Sequence, residues 1–263
     1  MIAEIHIIDA FTTTHFCGNP ASVCISGEEP DAGWMQQVAA EMRQSETAFV
    51  HPQNDGWKLR WFTPATEVDL CGHATLAAAF ALWATGRVAE GSRILFRTRS
   101  GILTASRDGA GIAMDFPQVP ATLCDPPAGI ESALGARVVS SGRTQFDLLF
   151  EVSSAAEVCN LDPDIHALAA LPARGIIVTA AADVPAYDFV SRFFAPSVGI
   201  PEDPVTGSAH CTLGPYWGER LGKTCVTGFQ CSPRGGVVRV TMQGDRVILT
   251  GDAVPVLRGQ LLA

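Results

Sequence analysis

The sequence predicts an α+β fold of two similar lobes, each a mixed or antiparallel sheet wrapped round a central helix. Three observations predict it. A pattern recurs: Phe62-Thr-Pro64, a loop carrying Glu67, then Gly72-His73-Ala74 is matched by Phe194-Ala-Pro196, a loop carrying Glu202, then Gly207-Ser208-Ala209. The offset is 132 residues from Phe62 to Phe194 and 135 from Gly72 to Gly207, about half of the 263-residue chain. Each copy then runs into an apolar helix-like stretch that closes on a tryptophan, Trp83 or Trp217. Finally, strand-like segments come in runs, two helices to a half, without the strict alternation of a doubly wound parallel sheet.

Taken in order, the first half opens with strand-like segments and an Asp-led amphipathic helix with Trp34, Met35, Val38, Ala39 and Met42 on one face. Strands are predicted over Thr47–Val50 and Trp57–Thr63, β-branched and aromatic in character. The motif helix follows, then short strands with turn chemistry at Arg107-Asp-Gly-Ala-Gly111. Prolines 117, 120, 126 and 127 crowd the connection between halves. In the second half the matching first helix is predicted to start at Asp162-Pro163, an N-cap with proline at the first helical position. Strands follow over Gly175–Thr179 and Tyr187–Phe194, then the motif helix and a turn at Gln243-Gly-Asp245. The order is ββαββ-loop-αβββ, twice. The expected lobes are residues 1–117 and 118–250, with a last strand, about 251–263, free to return to the first. A cleft between two such lobes is the expected place for a small-molecule site.

Net charge −9 and pI of about 5.1 repel polyanions on average, and basic–aromatic interleaving is absent, so no nucleic-acid partner is expected. The N-terminus lacks a basic leader region, and the longest apolar run, residues 74–84, falls short of the ~20 residues that span a bilayer. The expected location is cytoplasmic, with no membrane partner. Eight cysteines show no C-x-x-C and no zinc-site spacing with a histidine pair; they are expected to be reduced, mostly buried packing residues, with no metal. Of the two lysines, Lys58 lies in a strand-like run and Lys223 follows Gly222, so neither reads as the anchor of a pyridoxal cofactor. No cofactor is expected.

Each Gly-x-Ala lies where a loop enters a helix. There the first N–H groups are unpaired and the dipole is positive, which suits a carboxylate. The plainer alternative is that Gly72 and Gly207 permit a tight turn and Thr75 or Ser208 caps the helix. Glu46, in Ser45-Glu46-Thr47-Ala48-Phe49-Val50, enters a strand whose counterpart, Ile176-Ile177-Val178, is wholly apolar. It is either a solvent-edge residue or a general base raised by burial from its usual pKa of about 4.3. His73 reads equally as a core or capping histidine, and His210 as structural. The residues alone describe a two-lobed acid/base enzyme or a binder of a small carboxylate.

Four ordered blocks make this specific: Phe16-Cys-Gly18-Asn19-Pro20-Ala21, Ser45-Glu46-Thr47-Ala48-Phe49, Phe62-Thr-Pro64 through Gly72-His73-Ala74-Thr75, and Glu202-Asp203-Pro204-Val-Thr206-Gly207-Ser208-Ala209-His210. Together they resemble the PhzF family, phenazine-biosynthesis isomerase-like proteins of the diaminopimelate epimerase-like fold. The resemblance implies a cofactor-independent isomerase acting on a small amino- or hydroxy-carboxylate, like trans-2,3-dihydro-3-hydroxyanthranilate, and a homodimer. It implies Glu46 as the acid/base, His73, Asp203 and Ser208 as further catalytic residues, and Asn19, Gly72, Gly207 and Ser208 as substrate-binding residues. Related epimerases use two cysteines. Here Cys71 precedes Gly72, but the second half offers Asp203 or Thr206 in place of a thiol, which favours a single-base shuttle over racemisation. A racemase or epimerase, and a non-catalytic binder of the same fold, are the alternatives.

Overall fold

The computed structural model describes residues 3–262, and these divide into two compact units, 3–115 with 250–262, and 116–249. The first unit contains β1 (Ala3–Ala10), β2 (Asn19–Ile25), α1 (Ala32–Met42), β3 (Thr47–Gln53), β4 (Gly56–Phe62), β5 (Glu67–Val68), α2 (Gly72–Ala84), β6 (Ile94–Thr98), β7 (Gly101–Asp108) and β8 (Gly111–Pro117), whose last residues open the second unit. The second contains β9 (Thr122–Leu123), α3 (Ile130–Leu134), β10 (Val138–Arg143), β11 (Asp147–Val152), α4 (Ala155–Cys159), α5 (Ile165–Ala169), β12 (Gly175–Ala181), β13 (Phe189–Ala195), β14 (Ile200–Asp203), α6 (Gly207–Leu221), β15 (Cys225–Gln230), β16 (Gly236–Gln243) and most of β17 (Arg246–Gly251). The last strand, β18 (Ala253–Leu261), belongs to the first unit and pairs antiparallel with β1.

Strand pairing exposes the internal repeat. In the first unit β1–β2 is antiparallel, β2–β3 parallel, β3–β4 antiparallel, β4–β6 parallel and β6–β7 antiparallel, with β5 a spur on β4. In the second, β10–β11, β11–β12, β12–β13, β13–β15 and β15–β16 run through the same alternation, with β14 a spur on β13. Such mixed sheets with few helices are the α+β architecture read from the sequence.

Register aligns the halves residue by residue. Thr47 pairs with Phe62 as Ile176 pairs with Phe194, so Thr47 corresponds to Ile176, Glu46 to Gly175 and Ser45 to Arg174. The offset grows from 132 to 135 because the second copy carries three more residues between Pro196 and Glu202, where the 3-10 turn Pro196–Val198 leads into β14. The repeated acid is explained too. Glu67 takes both forks of Arg60 (2.8 and 2.9 Å) and Glu202 both forks of Arg192 (2.7 and 2.8 Å), fixing each spur strand to its neighbour.

The two motif helices are buried for different reasons. In α2, alanines 74, 77, 78, 79 and 81 are inaccessible on every face, which lets strands pack close all round a helix that is apolar throughout. In α6, Pro215 has no N–H, and the carbonyl of Cys211 that it would have engaged accepts instead from Val119 N at 3.1 Å. Gly214 lies so near β16 that a Cβ there would stand 2.4 Å from Val240.

Two details depart from expectation. The second half's first helix does not begin at Asp162. Two five-residue helices replace it, α4 capped by Ser154 and α5 capped by Asp164, whose carboxylate accepts from His166 and Ala167 N–H. Likewise, Thr75 and Ser208 do not cap the motif helices. Cys71 and Thr206 hold the N-cap positions without a side-chain cap bond, and the Thr75 hydroxyl donates back to Cys71 O.

Candidate active site at the motif helix entrances

The connection from α1 delivers Glu46 to the start of β3, and α2 begins at Gly72 opposite it. The contacts converge on His73. Its Nε2 lies 3.4 Å from Glu46 Oε2 and 3.3 Å from Ser45 Oγ, and its Nδ1 lies 3.5 Å from Cys71 Sγ. The Glu46 side chain is only 14% exposed. Burial pushes its carboxyl above the usual carboxylate range, and hydrogen bonds from Ser45 and Cys71 offset part of that rise. The group can therefore hold or release a proton nearer neutral pH than an exposed glutamate. Glu46, Cys71 and His73 also offer ligand atoms all within 4.8 Å of one another, a donor set that a soft divalent ion would accept.

The aligned position in the second unit cannot carry a carboxylate. A Cβ on Gly175 would stand 2.2 Å from the Phe193 ring and 2.9 Å from Asp147 Oδ1. Where the first unit has Ser45, the second has Arg174, which grips Asp147 in a forked pair and donates to Ser208 Oγ at 3.1 Å. Ser208 is thus held by an arginine where His73 is held by a serine and a glutamate.

At the start of α6, Asp203 is buried and accepts from the Thr206 hydroxyl at 2.5 Å. Gln230 locks both residues in place: its Oε1 accepts from Thr206 N (2.9 Å) and its Nε2 donates to Asp203 O (2.7 Å). His210 is wholly buried, with Nδ1 2.8 Å from Thr206 O, and burial lowers its pKa to about 4, so it is a neutral structural histidine. Cys211, also buried, has a thiol pushed up to about 12 and is inert as a base.

With this geometry in hand, comparison with known proteins is informative. The family model "Phenazine biosynthesis-like protein" matches residues 8–259. The chain belongs to the PhzF family. It is 50% identical to an uncharacterized isomerase of Halalkalibacterium halodurans, covering 100% of this chain and 99% of that one. It is 42% identical to the phenazine biosynthesis-like domain-containing protein 2 of Mus musculus, with both chains covered in full. The crystal structure of a PhzF-family protein from Enterococcus faecalis superposes with a TM-score of 0.96 at 40% identity over 100% of both chains. A hydroxyproline epimerase from Agrobacterium vitis shares the fold alone, with a TM-score of 0.64 at 11% identity over 99% of this chain and 92% of that one.

Against that family frame, Glu46, Gly72 and His73 stand together in the first unit, and Asp203, Gly207 and Ser208 stand at one helix entrance in the second. Asn19 is fully buried at the head of β2, paired with Ala10. Sequence reasoning missed Arg174, Asp147 and Gln230. Arg174 was findable, since it takes the place of Ser45 once the strands are aligned; Gln230 lies beyond the repeated motif and left no local signal. It also took Cys71 for packing, whereas the thiol touches His73 and bonds Glu46. Nor are the cysteines mostly buried. None of the eight is in a disulfide, but Cys124, Cys159 and Cys225 are exposed because they fall at element ends. Among the described residues no helix is long and apolar enough to cross a membrane.

Proposed function

We propose that the protein is a cofactor-independent isomerase that moves a proton on a small amino- or hydroxy-carboxylate, with Glu46 as the acid/base. The observation that carries this reading is the asymmetry of the repeat: a buried, hydrogen-bonded carboxyl at Glu46, and at its counterpart a glycine whose space the Phe193 ring fills. One carboxyl would both remove and return the proton. Ionised Glu46 takes it from a carbon, flanked by a diene and a carboxylate, that is acidified when helix N-termini hold the anion, and the resulting acid delivers it to another carbon of the same substrate. His73 would orient Glu46. Asp203 and Ser208 would be the second unit's catalytic groups, and Asn19, Gly72, Gly207 and Ser208 the substrate-binding groups. The N–H groups at the first turns of α2 and α6 favour a bound carboxylate. A cytoplasmic homodimer, with lobes at about 1–117 and 118–250, completes the proposal.

A second reading, a thiol epimerase, is favoured by one observation, the contact of Cys71 Sγ with His73 Nδ1. Against it, the residue before Gly207 is Thr206, not a second thiol. Solvent deuterium exchange into trans-2,3-dihydro-3-hydroxyanthranilate and related small carboxylates, followed by NMR, separates the two. On the isomerase reading Glu46→Gln loses on the order of 10² to 10⁴ in exchange rate, while Cys71→Ser loses far less. Exchange that survives in Glu46→Gln and vanishes in Cys71→Ser would move the protein to the thiol epimerases.

A further inference from the structure

Away from His73, a second group of reactive side chains lies wholly within the second unit. Cys159 ends α4 and Cys231 directly follows β15, yet both line one surface pocket of about 360 Å³, together with Asn160, Leu161, Arg192 and Ser232. The two thiols are close enough to interact with each other. Arg192 lies within electrostatic reach of both, its guanidinium pinned by Glu202 and by Leu161 O at 2.5 Å. Thiols react with peroxides and disulfides through their thiolate form, and accessibility decides which sulfur is met first. Cys159 is exposed to such reagents, whereas Cys231, in the same pocket, is half-buried. Burial, with Cys159 adding to it, raises the Cys231 thiol, so Cys231 keeps its proton and donates it to Ser191 O at 3.6 Å. The roles of attacking and resolving cysteine are thereby divided.

We propose that Cys159 and Cys231 are a redox-active dithiol that hydrogen peroxide closes to a disulfide. In the first step the Cys159 thiolate attacks peroxide oxygen. The O–O bond breaks, an S–O bond forms, and the departing hydroxide takes a proton to become water. In the second step the Cys231 thiol loses its proton and attacks the Cys159 sulfenic sulfur. The S–S bond forms, the S–O bond breaks, and a second water leaves. Two thiols have together lost two electrons and two protons to one peroxide.

The position gives the bond a consequence. Cys231 lies between Gln230, which fixes Asp203 and Thr206, and Ser232, whose hydroxyl donates to Pro204 O at 2.8 Å. Its own N–H is tied to Ser191 O. Drawing Cys231 toward α4 therefore pulls on the segment that shapes the start of α6. A change in turnover on oxidation would also require Asp203 to act as proposed above; disulfide formation itself would not.

The test uses the full-length folded protein treated with hydrogen peroxide, blocked with an alkylating reagent, digested and analysed by mass spectrometry. The expected product is an intramolecular Cys159–Cys231 link, reversed by dithiothreitol and formed at least about tenfold faster than oxidation of exposed Cys225 or Cys124. Cys231→Ser should leave a Cys159 sulfenic acid that dimedone traps. Cys159→Ala, at an exposed site that tolerates substitution, should leave no link at all. Absence of the link in the folded wild type, linkage of either thiol to another cysteine, or oxidation no faster than at Cys225 would overturn the proposal. Hydrogen exchange of residues 203–208 should differ between the reduced and linked forms; identical exchange would overturn the coupling to α6.

Discussion

His73 Nε2 lies 3.4 Å from Glu46 Oε2, joining the first turn of α2 to the residue that enters β3. Each partner shapes what the other can do. A carboxyl pushed upward by burial is held in one orientation by an imidazole that Ser45 and Cys71 contact from either side. The result is a proton-holding group whose direction is set by side chains and not by solvent, which is what a positioned acid/base requires.

The raised Glu46 pKa has a thermodynamic signature. In the folded state the proton is bound more tightly than in the unfolded chain, so the protonated group favours folding. That contribution is complete below the unfolded value of about 4.5 and is lost as pH rises through the higher folded value. Glu46→Gln removes the titration. Its Tm relative to wild type should therefore climb with pH from about 4.5 and level off above the folded pKa, each factor of ten in proton affinity being worth about 1.4 kcal/mol. Melting both proteins between about pH 4 and 9 checks this; a flat difference would mean that Glu46 is not desolvated.

How much of this was legible in the sequence depends on the kind of signal. The repeat was legible because Phe-x-Pro, Glu and Gly-x-Ala each answer to a local geometric need, namely a strand end, a spur strand tied to Arg60 or Arg192, and a helix entrance. Glu46 was legible as an acid at the mouth of an apolar strand. The short helices α4 and α5 were not, because a five-residue helix carries too little periodicity to reveal itself. Gln230 was hidden for another reason: its partner Thr206 lies 24 residues away in sequence and meets it only through strand order.

The two spur-strand ion pairs should differ in worth despite their equivalence. Glu202→Gln leaves Arg192, 10% exposed, with only the Leu161 carbonyl as a strong acceptor, whereas Glu67→Gln leaves Arg60 still paired with Glu29 at 3.1 Å. Stranding a buried charge costs about 3 kcal/mol, and weakening a shared one about 1 kcal/mol. Urea denaturation should rank Glu202→Gln as the less stable of the two; the reverse order would show that Arg192 is better solvated than its packing implies.

His210 should give the protein an acid-sensitive step. Its pKa falls from 6.5 to about 4 on folding, so the folded state favours the neutral ring. Stability is therefore complete above the unfolded value and is lost as pH falls from 6.5 through about 4, by on the order of 3 kcal/mol at the acid end. His210→Gln, which cannot ionise, should be less stable at neutral pH through lost packing on Phe189, yet show a shallower fall over that window. Equal slopes in wild type and variant would rule His210 out as the acid-sensitive group.

Gly175→Ala tests the steric origin of the asymmetry between the halves. A Cβ 2.2 Å from Phe193 Cζ cannot be accommodated without moving either the ring or β12, and overpacking of this kind costs about 1–3 kcal/mol. Phe193→Leu shortens the side chain that collides, at the expense of a cavity when made alone. If the ring is the reason that the second half carries no counterpart to Glu46, the double variant should be more stable than the sum of the two single losses predicts, by about 1 kcal/mol or more. Strict additivity would place the constraint in Asp147 Oδ1, 2.9 Å from the same Cβ, and a Gly175→Ala/Asp147→Asn variant would then show the rescue instead.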